Sequence, residues 1–553
     1  MGGTRQGRRD QDGGRPLTYT AARVVPNVPT FSVDNGFWYS IPDHLSDLEV
    51  GAIVRVGLGG RRVRGWVVEL GNKPPAELKP VVGVSGSRPA FDRKLLETLL
   101  WSANHYVAPV SVVLAKATPP NLPRVEHSTA PIASSVEPGN HPLSTIADAA
   151  ATGRRLPTQA ILGRWHSMDW FAALAPLLTQ DRSVLVISGT AAEVHALAAA
   201  AKQQIGSPVV EVAGGSDSEV TSSWEKAQIP GTLLIGTPRT ALWHVAELAM
   251  IVVLDEGRRA MKERQTPTIH VREVVRRRGL IEGLTTVFFG PTPSLEVLSA
   301  GAEPRMIGNR AWPHVEAVDR SEEPPGSGLL APAVIAALSS MSSSGRRSFV
   351  LGSRRMLEDL VKEINARLGT PTAGLLAQER LIIVGSERDL AGLAPVSLAI
   401  ASNPDGMLLG RGYRTREEVL RVLARLANAL KSGSGHRMMV QTADPQQPLM
   451  ETLRRGDPLP YLEDALIDRS RSGLPPSVEM IAVEIRGDLP SGVAHELGGI
   501  EGADVIGPVE VDDGLRWLLQ GSLTPAREVL RGLATRWRGA GATLRIDVDP
   551  IDL

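Results

Sequence analysis

A chain of 553 residues is several domains long and can bury more than one core. Its 60 basic and 60 acidic side chains cancel, so bulk charge argues neither for nor against a nucleic-acid partner, and any such surface must come from local clustering. The complete absence of cysteine excludes disulfides and thiolate metal sites, zinc among them, and fits a reducing cytoplasm. No apolar run is long enough to span a bilayer and no signal peptide is evident, so a soluble, intracellular protein without a membrane partner is expected.

Residues 1–17, MGGTRQGRRDQDGGRPL, are rich in Gly and Arg and are expected to be disordered. Strand patterns follow in ARVVPNV, FWYSIP and VGAIVRVGLGGRRVRGWVVEL, with a tight hairpin at Gly59-Gly60. A helix over Phe91 to Val107 closes this β-rich domain (18–117), its Leu95, Leu96, Leu99 and Leu100 recurring at helical spacing. The stretch 118–150 is rich in Pro and Ser without a period and reads as a linker. From 151 to 308 strands alternate with helices (SVLVISG, AAEVHALAAAAKQQI, TLLIGT, AMIVVLDE, TTVFFG), which is the pattern of a parallel sheet. A second α/β unit at 309–442 holds SFVLG, LIIVG, VSLAIAS and RMMVQT, and 443–553 reads as an α+β module. The expected fold class is therefore multidomain α/β.

The stretch richest in chemistry is AMIVVLDEGRRAMKERQ, Ala249 to Gln265. A short apolar strand ending in Asp255-Glu256 delivers carboxylates to the carboxyl edge of a parallel sheet, where nucleoside triphosphatases hold Mg²⁺ and the attacking water. A DExH helicase would continue towards a His, whereas Gly257 and Arg258 follow here. Without a Lys partner the pair reads more simply as capping, solvated carboxylates. The basic residues Arg258, Arg259, Lys262, Arg264, His270, Arg272 and Arg276 to Arg278 form either a solvated helix face or a set of phosphate contacts, which position a protein but read no sequence. His105 and Tyr106, on a helix with Trp101, belong to a core or an interface. The histidines never pair with carboxylates at metal-ligand spacing, so no metal site is expected.

Several strings resemble, in order, those of the PriA family of replication-restart proteins (primosomal protein N-prime). They are FWYSIP, VGAIVRVGLGGRRVRGWVVEL, PGTLLIGTPRTALW, LDEGRRAMKERQTPTIHVRE, FFGPTPSLEVL, RMMVQTADPQQPLM, RSGLPPSVEMIAVEIRG and LRIDVDPIDL. The resemblance implies a β-rich N-terminal 3′-DNA-binding-like domain, two RecA-like helicase lobes of superfamily 2 with parallel sheets, and an α+β C-terminal domain. It implies DNA contacts by Phe37, Trp38, Tyr39, Gly51, Arg61, Arg62 and Gly65, and by Lys262, Arg264 and Arg272 beside the interlobe cleft. Trp38 stands where the family has the Asp that accepts a 3′-hydroxyl. That puts strand-end specificity in question and leaves stacking on a base, worth roughly 1–3 kcal/mol.

The departures bear on the motor. A phosphate-binding loop needs close-approaching glycines, a Lys and a Ser/Thr. Here Gly163 keeps the first Gly, but Met168, Asp169 and Trp170 replace Gly-Lys-Ser/Thr. Aligning Asn428 to Ser432 with the family's G-R-A-G-R removes both arginines, Ala391 replaces a Lys, and the zinc-binding insert is absent. With Asp255 and Glu256 these positions make a degenerate nucleotide site. The expectation is a chain that is not an enzyme, with no catalytic residues, no cofactor, doubtful ATP and Mg²⁺ binding, and no zinc. Its expected role is recognition of stalled or branched forks in replication restart. The partners expected are DNA and primosome proteins such as the replicative helicase loader and single-strand binding protein, at the nucleoid. Two alternatives are an ATP-dependent 3′–5′ DNA helicase with a divergent site, and a protein-interaction scaffold that no longer binds DNA.

Overall fold

The computed structural model describes residues 19–551 apart from 75–76, 121–140, 206–207, 325, 370, 376–378, 411 and 513. The Gly/Arg-rich segment 1–17 and most of the expected linker lie outside the described residues. The linker's last part is helix instead: Pro142–Ala151, with Pro142 at its first position and His141 capping Leu143 N. Pro is preorganised for that position, and the helix buries Leu143, Ile146 and Ala147 against the first α/β lobe. The Pro that suggested a linker thus opens a helix.

Among the described residues there are four sheets. The first, antiparallel, runs in the order Phe37–Ser40, Ala21–Pro26, Arg61–Gly71, Ile53–Leu58, Gly83–Ser85. The hairpin at Gly59-Gly60 joins two of its strands, with both glycines at positive φ (54° and 79°), as such a turn requires. Arg93–His105, capped by Asp92, and Val110–Ala117 pack beside it.

The second sheet is parallel throughout, ordered Glu303–Met306, Gln159–Leu162, Thr285–Gly290, Leu248–Leu254, Ser183–Ile187, Leu233–Gly236, Val209–Val212. Leu248–Leu254 is central and buried at every residue, which is why it reads as a continuous apolar run. The third sheet is also parallel, ordered Val315–Asp319, Arg437–Thr442, Leu398–Ala401, Ser348–Leu351, Ile382–Gly385, Ala373–Leu375. The last is antiparallel, ordered Ala503–Val511, Gly514–Gly521, Glu479–Arg486, Thr543–Val548, and is covered by the helix Thr524–Gly539. The mixed α/β architecture expected from the sequence is the one observed. No helix among the described residues is long and apolar enough to cross a membrane.

One apolar cluster runs from Val25 in the first sheet to Val548 in the last. Polar ties follow the same route. Tyr106 is fully buried, and its hydroxyl accepts from His270 N at 3.0 Å in the first lobe. His105 faces Asp549 at 3.7 Å, and the Arg527 guanidinium donates to His105 O at 3.1 Å while pairing with Glu479. His105 and Tyr106 are therefore interface residues between the N-terminal domain, the first lobe and the C-terminal domain.

Candidate functional site

The strand Leu248–Leu254 ends at Asp255, which turns the chain with φ 49° and sets Asp255 and Glu256 at the carboxyl edge. Both are 2% exposed, so the solvated reading fails. Glu256 accepts from Ser294 N at 2.6 Å and faces Arg272 at 3.5 Å. Asp255 faces Arg425 Nε at 3.3 Å. Burial raises the carboxyl pKa of each, opposed by those arginines.

Arg425 comes from the other lobe, on the helix Thr415–Asn428. It is 2% exposed and also lies 3.6 Å from Glu193 and 3.3 Å from Glu387. Glu193 itself receives Arg258 at 2.7 Å and Ser188 Oγ at 2.9 Å. Its carboxyl is held at about 2, desolvation being overcome by Arg258 and Arg425. A second tie between the lobes runs from the Arg164 guanidinium to Leu430 O and, at 3.2 Å, to Ser432 Oγ. A cleft arginine is therefore present, one turn before the place where alignment of the sequence found none. Its sequence signal was Arg421 and Arg425, four apart, on the apolar stripe of an amphipathic helix.

The loop after Gln159–Leu162 departs from a phosphate cradle in shape as well as composition. No α-helix begins before Ala175, where a single turn, Ala175–Leu178, runs on from the loop. Short 3₁₀ turns at Trp165–Ser167 and Phe171–Leu174 follow, separated by Met168 at φ 55°. A helix N-terminus supplies the amides that bind phosphate, and none stands at this point. Trp165 and Trp170 are fully buried, and Trp170 Nε1 donates to Trp165 O at 2.9 Å. Trp170 stacks on Phe171 with centroids 4.1 Å apart and meets Phe289 edge-on. Asp169 accepts from Ser167 Oγ at 2.6 Å. A Cβ on Gly163 would come within 2.8 Å of the Ile307 side chain, so this glycine answers to packing. His166 stacks on Trp165 at 3.6 Å, and burial drives its pKa down to about 3, assisted by Arg425.

The basic cluster is mostly internal. Lys262 is 7% exposed and donates to Asp547 Oδ1, Val548 O and Asp549 O at 2.6–2.7 Å, fastening the last strand to the first lobe. Arg272 is 3% exposed among Glu256, Glu273 and Glu296, and Arg278 pairs with Glu282 while donating to Ala241 O and Trp243 O. Lys262 and Arg272 are thus spent within the fold and do not reach a ligand as placed. Arg264 is exposed. A helical run of arginines looks the same in sequence whether its partners are water, phosphate or distant carboxylates.

In the N-terminal domain Arg61 and Arg62 are exposed on the hairpin. Phe37 is 41% exposed, Trp38 is half-buried beneath Lys73 (5.3 Å to the ring), and Tyr39 is 3% exposed with its hydroxyl donating to Gly57 O. The alternate pattern thus buries Tyr39 but leaves Phe37 open. Gly51, at φ 87°, and Gly65 are packing glycines: a Cβ would fall 1.8 Å from Phe91 O and 2.7 Å from a Val24 methyl respectively. Among the described residues no cluster of His, Asp and Glu is arranged to hold a metal.

A family model for the 3′ DNA-binding domain (3′BD) of PriA matches residues 23–119. The chain is 25% identical over 602 aligned residues to the probable replication restart protein PriA of Mycobacterium bovis, and equally to that of Mycobacterium tuberculosis. The alignments cover 88% of this chain and 90% of each relative. Among solved structures, Mycobacterium smegmatis helicase Lhr bound to single-stranded DNA and AMP-PNP aligns with a TM-score of 0.37 and 13% identity, over 58% of this chain and 48% of its own. Saccharomyces cerevisiae Dbp5 bound to RNA and ADP BeF3 aligns with a TM-score of 0.35 and 11% identity, over 60% and 93%. The expectation of a chain that is not an enzyme is withdrawn. Its curated relatives are PriA proteins aligned over 88% of the chain, and the cleft carries an arginine that the sequence reading missed.

Proposed function

We propose that the chain is a PriA-like, DNA-binding replication-restart protein that recognises stalled or branched forks, gripping DNA first through its N-terminal domain. The observation that carries the reading is the pair Arg61 and Arg62, exposed beside the turn of a hairpin in the domain matched by the family model. Arginine grips phosphate bidentately, and the partly exposed Phe37 and Trp38 on the same sheet offer faces on which an unpaired base stacks.

The test is fluorescence anisotropy on a forked DNA and on a duplex of equal length. Tighter binding to the fork is expected, with affinity falling steeply as salt rises. Removing both arginines (Arg61→Ala with Arg62→Ala) should reduce the slope of log K against log salt by about 2. Equal affinity for fork and duplex overturns the reading.

A second reading, ATP hydrolysis in the interlobe cleft, draws support from Arg425 reaching Asp255 across the lobes. DNA-stimulated phosphate release that disappears in Asp255→Asn would establish it. No release with or without DNA would refute it.

A further inference from the structure

The segment Asp547 to Ile551, at the end of the last sheet, touches three other parts of the molecule. Asp547 Oδ1 and the carbonyls of Val548 and Asp549 accept from Lys262 of the first lobe, and the Asp549 carboxylate faces His105 of the N-terminal domain. The next carbonyl, that of Pro550, accepts from the Tyr413 hydroxyl of the second lobe at 3.0 Å. Ile551 then lines two hollows, one walled by Arg264 of the first lobe and the other by Thr415 and Val419 of the second. The segment lies along the seam between the lobes and is fixed to each.

A second grip on the second lobe comes from Arg469, on the helix Leu459–Arg471 of the C-terminal domain. Its buried guanidinium donates to Tyr413 O at 2.6 Å and to Glu417 at 2.8 Å, and lies over the Tyr413 ring at 4.5 Å. The same helix packs on Leu295–Ser299 of the first lobe. Tyr413 is thus held from the C-terminal side by its hydroxyl, its carbonyl and its ring. Its neighbour Arg414 pairs across the cleft with Glu296 of the first lobe. Lys262 holds the carbonyl of Asp549 and Tyr413 that of Pro550, adjacent residues with no slack between them. A hydrogen bond is lost by about 3.6 Å, so the lobes cannot part at the seam while both grips last.

We propose that the C-terminal domain is a clamp on the two lobes: its last strand grips the first lobe at Lys262, the residues after it grip the second at Tyr413, and the lobes separate only when one grip lets go. Coupling of this kind is reciprocal. Anything that loosens the C-terminal domain favours separated lobes, and separation of the lobes loosens that domain. The clamp differs from a direct interlobe bond in one respect. Among the described residues Lys262 makes no hydrogen bond or ion pair to the second lobe, yet its loss lets the lobes part.

The test uses the full chain, which has no cysteine of its own. Ala199→Cys and Ser340→Cys, exposed positions on the first and second lobes, carry a dye pair for single-molecule energy transfer. Lobe separation is read in urea below the unfolding transition, where a small open population becomes visible, and circular dichroism confirms that each variant is folded. Tyr413→Phe keeps the ring and removes the hydroxyl that donates to Pro550 O and accepts from Arg414 Nε. It is expected to raise the open population about fivefold, the equivalent of one hydrogen bond. Lys262→Met is expected to raise it about tenfold or more, and Asp547→Asn makes the same test where Lys262→Met does not fold. Lobe separation unchanged from the wild type in the folded Lys262 or Asp547 variant overturns the clamp, whatever Tyr413→Phe does, because the lobes are then held by their direct ion pairs alone.

Discussion

At Arg425 and His166 the structure turns two ordinary-looking residues into a buried charge and a buried neutral imidazole, each with consequences. Arg425 offsets both Asp255 and Glu193, so Arg425→Met leaves two carboxylates desolvated without their interlobe partner. Breaking a buried pair from one side costs about 3–5 kcal/mol, and a loss of that order is expected in urea unfolding. Pairing the change with Asp255→Asn should recover part of it, because Asp255, unlike Glu193 with its Arg258, is the carboxylate left without a close partner. His166 gives a pH signature. Its folded pKa, about 3, lies below the ordinary 6.5, so the unfolded chain binds the proton more readily. Its contribution is present above pH 6.5 and is lost as the pH falls from there towards 3. Stability of His166→Phe, which keeps the stack on Trp165, should be less steep in that window by up to about 1.4 kcal/mol per pH unit. Identical slopes for the two proteins would refute the assignment.

At the scale of elements, the loop 163–174 is a core element. Trp165 and Trp170 fill the space with their own rings and a shared hydrogen bond. Rewriting Met168, Asp169 and Trp170 as Gly, Lys and Ser is therefore expected to lower stability by about 3–5 kcal/mol, the usual cost of removing a buried Trp. Chemical denaturation checks this, and a change under about 1 kcal/mol would show that the ring is not structural. The β-rich domain has its own weak point in Gly51. Its positive φ and the 1.8 Å approach to Phe91 O leave no room for a methyl group, so Gly51→Ala should lower the domain's melting temperature sharply.

Across the whole molecule the C-terminal segment acts as a strap. Asp547, Val548 and Asp549 hold Lys262 of the first lobe, while Asp549 also faces His105 of the N-terminal domain. Arg531 pairs with Asp34, and Arg527 reaches His105 O, from the helix that covers the last sheet. Lys262→Met should release the strand Thr543–Val548 from the first lobe. Amide hydrogen exchange over 543–549 is expected to rise by an order of magnitude or more, with little change in the third sheet. Uniform exchange changes across the chain would contradict a local strap.

Much of this was legible in the residues themselves. The inner strands of both parallel sheets are short apolar runs, whereas the edge strands Glu303–Met306 and Val315–Asp319 are too polar to stand out; the hairpin is announced by Gly59-Gly60, and the family strings sit in the family's order, because period and turn chemistry are local properties. The helix Pro142–Ala151 was missed because Pro opens helices as well as loops, and the hairpin Ala503–Gly521 because its exposed strands lack a clean alternation. The sequence by itself determined a multidomain α/β chain with Asp255-Glu256 at a sheet edge and no thiolate metal site. Only the tertiary structure decided which charges meet. Lys262 and Arg272 look like ligands for DNA until distant carboxylates are found around them, and Arg421 and Arg425 look like helix surface until the second lobe turns them into the cleft. Charge pairing depends on distances between residues hundreds of positions apart, and those distances do not exist until the lobes have packed.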